Sequence, residues 1–383
     1  MTAPSTSRIR SLDIAKGICI VAIVFCHAME HAVVHGEDMP VPDGGSLLAD
    51  PVAVLGQFLY TLLFVFFMIS GYLHKPGRTF RENVSRRIVQ IVPAFVVCTV
   101  VLTFAMWLFV CATSASVPFE EFLDELLHSL IGDRTLEEPG HLHVIGPCNV
   151  STSYYFFIVF LAACVPFYAL VDRVSDSAVK TAVAMALLCA ASAVLIGMLP
   201  VHLPFACETA FATAAVMLMG ARLARVDFLG RMEKGMGTRR LWAMAVLALA
   251  FGIVWSAVFP IGFNFVDGVL GRHGGLSSFL IVPGTLACAF CFMALCMGIA
   301  KALPSAGRAL SVLGAFSLSI MMFHVFFLKL VSGLFRPIEG NYIPIDSVSE
   351  GLVFGTASIA LSLALSMAIS TTIGKKSRKV RGS

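Results

Sequence analysis

The sequence predicts an all-α protein, a polytopic membrane helix bundle of about ten transmembrane helices with both termini in the cytoplasm. The chain is 58% hydrophobic and only 13% charged, and its mean hydropathy is +0.88. Soluble domains carry roughly 25% charged residues, so this composition excludes an ordinary soluble protein. Apolar runs of about 20 residues, the length that crosses a bilayer, recur along the whole chain. The expected surroundings are a lipid bilayer, and no nucleic-acid partner is expected.

The ten runs together form one domain, residues 1–383. The first run is not a secretory signal peptide, because it contains Lys16 and His27 and lacks a small-residue cleavage pattern. An amphipathic helix is predicted at 119–130 in the long outer loop 111–151, and a basic interfacial helix at 77–87. The predicted spans are residues 14–34, 52–74, 88–110, 152–171, 178–199, 205–224, 241–260, 277–300, 311–334 and 351–373.

The distribution of basic residues predicts the orientation of the bundle. Lys and Arg concentrate in cytoplasmic segments of membrane proteins. With the N-terminal segment 1–13 and the basic tail 374–383 placed inside, 23 of the 27 basic residues lie in or beside cytoplasmic segments. The long outer segments are acidic instead. We therefore expect a multi-pass protein of the plasma or inner membrane.

Cysteine and histidine spacing indicates neither a disulfide framework nor a metal site. Nine of the eleven cysteines lie within apolar spans, where cysteine behaves as a small hydrophobic residue. Only Cys111 and Cys148 lie at or outside the membrane boundary, and whether they pair is left open. His141 and His143 lack the further convergent ligands that a zinc ion needs, so no metal is expected.

The first span carries the densest set of titratable residues. Lys16 and His27 are 11 residues apart, which places them on one helix face and about 16 Å apart along the axis. Asp13 can pair with Lys16 at i, i+3, and Glu30 follows His27 by nearly one turn. Ionisable side chains are costly inside a bilayer, so each of these residues is a candidate for a functional role. The structural alternative is a snorkelling lysine and an interfacial histidine.

Other polar residues in or beside apolar spans are candidates, each with a structural alternative. Ser70 and Gly71 permit close helix packing, and His324 in the ninth span can simply bond to a neighbouring helix. Glu208 can act as an acid at a helix start. Arg86 and Arg87 can be ordinary inner-surface cations.

Several weak motifs occur together in a specific order along the chain. They are SLDIAKGICIVAIVFCH at 11–27, FFMISGYL at 66–73, Phe80 with Arg86, Arg87, Ile88 and Pro93, YYFF at 154–157, Pro204 with Glu208 and Gly220, and Gly314 with Ser317, Ile320 and His324. This ordered set resembles the acyltransferase 3 family of integral-membrane acyltransferases, close to its fucose 4-O-acetylase-like branch. Two positions depart from the family pattern, because Lys16 stands where many members have Arg and Tyr155 stands where Trp is usual.

The resemblance implies transfer of an acetyl or other acyl group from cytoplasmic acetyl-CoA to a hydroxyl of a cell-surface glycan or its lipid-linked precursor. His27 would be the general base, with Glu30 as a possible orienting partner, since a histidine titrates near neutral pH. The acetyl-CoA contacts would be Lys16, Ser70, Gly71, Arg86 and Arg87. The acceptor contacts would be Tyr155, Glu208 and His324.

Two other classes of protein stay open on the sequence alone. A proton-coupled transporter or a glycan translocase could use the same buried lysine, histidine and glutamate residues. Matching broken helices in two halves of the chain would favour transport, and the sequence does not display them. A membrane scaffold without catalysis is the third alternative, against which the alignment of Lys16 with His27 argues.

Overall fold

The computed structural model describes residues 10–34, 51–113, 117–131, 136–138, 141–142, 148, 150, 152–198, 203, 207–235, 237–258, 277–338, 345 and 347–381. Within these ranges some side chains are outside the description, among them residues 29–34, 51–61 and 152–156. The predicted site residues Glu30 and Tyr155 are therefore placed on their helices, but their side chains lie outside the described set.

The described chain is almost entirely helical. The helices are α1 (Arg10–Val34), α2 (Pro51–Tyr72), α3 (Phe80–Thr113), α4 (Phe119–Ile131), α5 (Thr152–Val174), α6 (Ala178–Met198), α7 (Cys207–Arg225), α8 (Phe228–Gly235), α9 (Thr238–Val258), α10 (Ser277–Ala302), α11 (Pro304–Ala315), α12 (Ser317–Gly333) and α13 (Val348–Arg381). A short antiparallel pair, β1 (Leu136–Glu138) and β2 (His141–Leu142), lies in the long loop between α4 and α5.

These helices confirm the predicted fold class of an all-α membrane bundle. Each predicted span except the ninth overlaps one helix of the structure, and the ninth overlaps the two helices α11 and α12. Among the described residues, seven helices are long and apolar enough to cross a membrane, and α11 with α12 forms an eighth if the bent pair is one span. Helices α2 and α10 contribute shorter described apolar stretches, Leu62–Tyr72 and Phe292–Ala302. We call the predicted cytoplasmic end of the bundle the inner end and the opposite end the outer end.

Helix α3 differs from the prediction, because the basic segment 77–87 and the third span are one continuous helix of 34 residues. Gly77, at a φ of +98°, turns the chain just before it. The backbone amide of Thr79 donates to Glu82 and the amide of Glu82 donates to the Thr79 hydroxyl, at 2.8 and 3.3 Å. This reciprocal capping box starts the helix at Phe80. Arg86 and Arg87 therefore lie on the second turn of the helix.

The prediction of one helix for the ninth span, 311–334, was wrong, because the structure has two helices there. Helices α11 and α12 meet at Phe316 and are bent by 77°. At the bend, Gly314 packs against the backbone of Asp13 and Gly17 on α1. A side chain at either glycine would meet the backbone of the other helix, so this bend is fixed by close packing rather than by a proline.

The long outer loop contains the predicted amphipathic helix, which is confirmed as α4. Its Phe119 and Phe122 pack on Trp107 near the outer end of α3, with ring centroids 5.8 and 5.3 Å apart. Both Cys111 and Cys148 are free thiols in the structure, which answers the pairing question that the sequence left open.

Burial separates central from peripheral helices. In α1 and in α7, 72% of the membrane-spanning residues are buried, against 18% in α9 and 28% in α13. Helix α1 contacts α2, α10, α11, α12 and α13, so it lies at the centre of the bundle. Residues on α1 and α7 are therefore better shielded from lipid than those on α9 and α13.

Candidate functional site

Two histidines from distant parts of the chain meet in the core. His27 on α1 and His324 on α12 have ring centroids 5.3 Å apart and ring planes tilted by 32°. His324 is fully buried, whereas His27 is half-buried. The sequence named both residues but gave no reason to pair them.

The hydrogen bonds of His324 define its protonation. Its Nδ1 lies 2.9 Å from the carbonyl oxygen of Met321 and 3.2 Å from that of Ile320. A backbone carbonyl can only accept, so Nδ1 carries the proton and Nε2 has a lone pair. Among the described residues, no donor reaches that buried Nε2. On α13, the Ser358 hydroxyl donates to the His324 carbonyl at 2.7 Å and holds the helix there. His324 thus presents Nε2 as an acceptor for a hydrogen bond from a hydroxyl group.

Lys16 is paired within its own helix. Its ammonium lies 3.1 Å from the Asp13 carboxylate, as the i, i+3 spacing predicted. This end of α1 packs on α11 through Gly17, and the side chain of Lys16 is 23% exposed. Lys16 does not line the basic cavity described next.

A cationic cavity of about 170 Å³ opens at the inner end between α2, α3 and α5. It contains both predicted arginines, Arg86 and Arg87, together with Lys75 and Arg78. Within the described part of the chain, no carboxylate forms an ion pair with any of these four side chains. Their charges are therefore available to a polyanionic ligand. The cavity is also lined by Leu73, His74, Asn83, Gln90 and Tyr168.

Helix α5 holds two side chains of the cavity in place. The Nε of Arg87 donates to the Tyr168 hydroxyl at 3.0 Å, and its guanidinium carbon lies 5.7 Å from the Phe160 ring centroid. These contacts leave the two terminal nitrogens of Arg87 without a partner among the described residues. His74 Nε2 donates to Asp172 at 3.1 Å. The cavity is thus preorganised on α5 before any ligand enters.

Ser70 and Gly71 serve helix packing in the structure. The Ser70 hydroxyl donates to the Phe66 carbonyl in its own helix at 3.0 Å. A Cβ at Gly71 would meet the backbone of Met217 on α7, and one at Gly220 would meet the backbone of Met68. No free space lies beside the Cα of Gly71, so the packing against α7 leaves no room there for the predicted path of acetyl-CoA.

Glu208 lies at the start of α7, where its structural alternative placed it. Its carboxylate accepts a hydrogen bond from the backbone amide of Leu203 at 3.2 Å, and its carbonyl accepts one from the buried Ser192 hydroxyl at 2.5 Å. These bonds tie α6 to the beginning of α7. A contact between Glu208 and an acceptor stays a prediction.

Sequence reasoning missed Lys75, Arg78, Asn83 and Tyr168 as members of the basic cavity. Arg78 and Asn83 lie inside the predicted basic helix 77–87 and Lys75 lies just before it, so the signal was present but was interpreted only as an interfacial surface. Tyr168 gave no local signal, because its contact with Arg87 spans 81 residues of sequence. In the described part of the chain, no group of three or more His, Cys, Asp or Glu side chains could hold a metal ion.

The fold and these sites define a multi-pass membrane protein with a titratable centre in its core and a cationic cavity at one end. The family model described as an acyltransferase domain matches residues 9–371. The chain therefore belongs to the acyltransferase 3 family, and it is a membrane acyltransferase. No curated protein matches the sequence.

Proposed function

We propose that this protein transfers an acetyl group from cytoplasmic acetyl-CoA to a hydroxyl of a cell-surface glycan or its lipid-linked precursor, at the plasma or inner membrane. The observation that carries the proposal is the open Nε2 of His324, buried beside His27. A buried ring nitrogen without a partner is costly, and a substrate hydroxyl would supply the missing donor.

The donor side of the proposal rests on the basic cavity. Acetyl-CoA carries a diphosphate and a 3′-phosphate, and the four cations that line the cavity at the inner end match that charge. Arg86 and Arg87 bind phosphate in this account, as the sequence predicted, with Lys75 and Arg78 beside them. The cavity takes the phosphates, and the acyl arm extends from there toward the core. Lys16, whose ammonium is paired with Asp13, is a candidate contact for the acyl arm or the thioester of acetyl-CoA.

The chemistry follows from the histidine pair. One histidine accepts the proton of the acceptor hydroxyl as its oxygen attacks the thioester carbonyl carbon. The C–O bond of the ester forms, the C–S bond breaks, and the protonated imidazole returns the proton to the leaving thiolate. We assign the role of general base to His27, oriented by Glu30. We place His324 beside the acceptor hydroxyl, where it supports His27. Tyr155 and Glu208 remain candidate acceptor contacts.

The test uses the purified protein in lipid nanodiscs, with acetyl-CoA and oligosaccharides released from the surface glycan of the source cells. We expect His27→Ala to lower the rate of O-acetylation by roughly 10²–10⁴-fold, the usual contribution of a general base. A folded H27A protein that acetylates at the normal rate would overturn the assignment. The control is His74→Gln at the basic cavity, which we expect to change the KM for acetyl-CoA more than kcat.

One structural observation favours the alternative of a transporter or glycan translocase. The 77° break between α11 and α12 resembles the discontinuous helices of secondary transporters. Among the described helix pairs, no second break of that size is found. Substrate flux in vesicles without ester formation would favour transport over acyl transfer.

A further inference from the structure

The amphipathic helix α4 carries a carboxylate on the face that packs against the bundle. Phe122, Glu125 and Ser129 are buried on this face, at the three- and four-residue spacing of one helix side. The opposite side exposes Phe119, Leu123 and Leu127. An apolar residue is expected at position 125, because a buried carboxylate is unfavourable unless something pairs with it.

No described residue donates a hydrogen bond to Glu125. Only 4% of its surface is exposed, and both carboxylate oxygens lack a donor among the described residues. Burial raises the pKa of Glu125 to about 7, and Lys329 on α12, 1% exposed, acts in the opposite direction. The backbone amide of Cys148 also acts on the carboxylate and favours its charged form. The Glu125 carboxylate can therefore still accept hydrogen bonds from a ligand.

The charges around Glu125 indicate which ligand it would accept. Glu121 and Asp124 on α4 both disfavour further negative charge, so a phosphate or carboxylate ligand would be repelled. Lys329 disfavours a cation. A neutral molecule with several hydroxyl groups satisfies both sides, because its O–H groups donate to Glu125 and its oxygens accept from an ammonium.

The position of Lys329 relates this cluster to the histidines. Lys329 follows His324 by five residues on α12, which is about 7.5 Å nearer the outer end and about 140° around the axis. The two side chains therefore point to different sides of α12. A ligand that reaches both must extend over more than one sugar ring.

We propose that Glu125 and Lys329 form a subsite at the outer end that binds the hydroxyl groups of a sugar neighbouring the one that is acylated. The inference rests on the proposed function, since it names the acceptor as an oligosaccharide rather than a single sugar. Helix α4, held on α3 by Trp107, provides a fixed wall for this subsite.

The test compares the wild-type protein with Glu125→Gln in nanodiscs. Each protein is assayed with two acceptors, namely oligosaccharides released from the surface glycan and the monosaccharides that compose them. We expect the KM for the oligosaccharide to rise about tenfold, while the KM values for the monosaccharide and for acetyl-CoA stay the same. The matched control is Glu120→Gln, an exposed position on the same helix that does not act on Glu125, which should change none of the three.

The pH profile adds a readout that a structural role would not give. Hydroxyl groups donate to the carboxylate form, so the wild-type KM for the oligosaccharide should fall as the pH rises from 6 to 8, and E125Q should lose this dependence. The titratable or charged groups around Glu125 are Lys329 on α12, Glu121 and Asp124 on α4, Cys148 before α5, and Cys111 on α3 next to Cys148.

Two outcomes would contradict the subsite. One is an E125Q protein with an unchanged oligosaccharide KM, and the other is an equal loss for both acceptors. Direct binding of the oligosaccharide, measured by calorimetry without acetyl-CoA, separates this proposal from the reaction itself. Wild-type binding that E125Q loses supports the subsite even if no acetyl transfer is detected, whereas equal binding by both proteins overturns it.

Discussion

At the level of single residues, His324 differs from an ordinary buried histidine because only one of its ring nitrogens has a protein partner. A histidine that served only packing would bond through both nitrogens or leave the free one in solvent. His324 also lies against His27 on α1, the helix on which the sequence had already indicated a functional face. The proposed reacting centre is therefore a pair of histidines on two helices.

Arg87 and Tyr168 give a prediction about donor binding. The planar guanidinium of Arg87 is fixed through Nε by the Tyr168 hydroxyl, so its two terminal nitrogens can bind a phosphate together. We expect Arg87→Lys to raise the KM for acetyl-CoA roughly tenfold, about 1.4 kcal/mol of lost binding, with little change in kcat. Steady-state kinetics in nanodiscs measure both constants.

The control for Arg87→Lys is Arg81→Lys, at an exposed position on the same helix outside the cavity. Tyr168→Phe should show a smaller rise in KM, because it frees the guanidinium without removing it. Equal effects of R81K and R87K would mean that general surface charge, and not this cavity, attracts the donor.

Only part of the site could be predicted at this scale. The spacing of Lys16 and His27 is a property of one helix, so the sequence contained it. The partners of Arg87 and His27 come from α5 and α12, and contacts between distant segments leave no periodic signal along the chain. The polar group at Glu125 lay in a segment that the sequence had interpreted only as an amphipathic surface helix.

At the level of elements, close helix crossings position the functional faces. Gly71 and Gly220 bring α2 and α7 into backbone contact, and Gly17 and Gly314 do the same for α1 and α11. The second crossing fixes the bend before α12, and α12 presents His324 to α1. The small residues thus hold the core geometry on which the histidine pair depends.

These crossings predict the effect of adding one methyl group. Gly71→Ala would place a Cβ against the backbone of Met217, which cannot move aside as a flexible side chain can. We expect a loss of stability of about 1–3 kcal/mol or more, seen as a lower thermal unfolding midpoint in detergent. The matched control is Gly235→Ala at the end of α8, where no atom lies within 4 Å of the added Cβ. Similar midpoints for the two variants would contradict the close packing of α2 on α7.

The element boundaries show where sequence patterns were insufficient. Hydropathy predicted the membrane-spanning helices because burial in lipid demands long apolar runs. It did not predict that α3 continues through its basic segment, since a capping box and not hydropathy sets that start. Nor did it predict the bend at Phe316, which results from the approach of Gly314 to α1.

At the level of the whole molecule, the charges separate the bundle into two chemically different ends. The inner end has the cationic cavity, and the outer end has the acidic helix α4 with its buried Glu125. A polyanionic donor and a neutral polyhydroxylated acceptor would each meet suitable chemistry at opposite ends. The histidine pair lies on central helices, and under the proposed function the acyl group would pass through the bundle while acetyl-CoA stays at the inner end.

Transfer of an acetyl group across the bundle is tested by comparing CoA release with ester formation. The protein is placed in sealed vesicles, with labelled acetyl-CoA at the inner face and the glycan oligosaccharide at the outer face. We expect one acetyl ester on the oligosaccharide for each CoA thiol released, and a loss of both products by roughly 10²–10⁴-fold with His27→Ala. Movement of the oligosaccharide across the membrane without ester formation, or CoA release that does not depend on the acceptor, would contradict it.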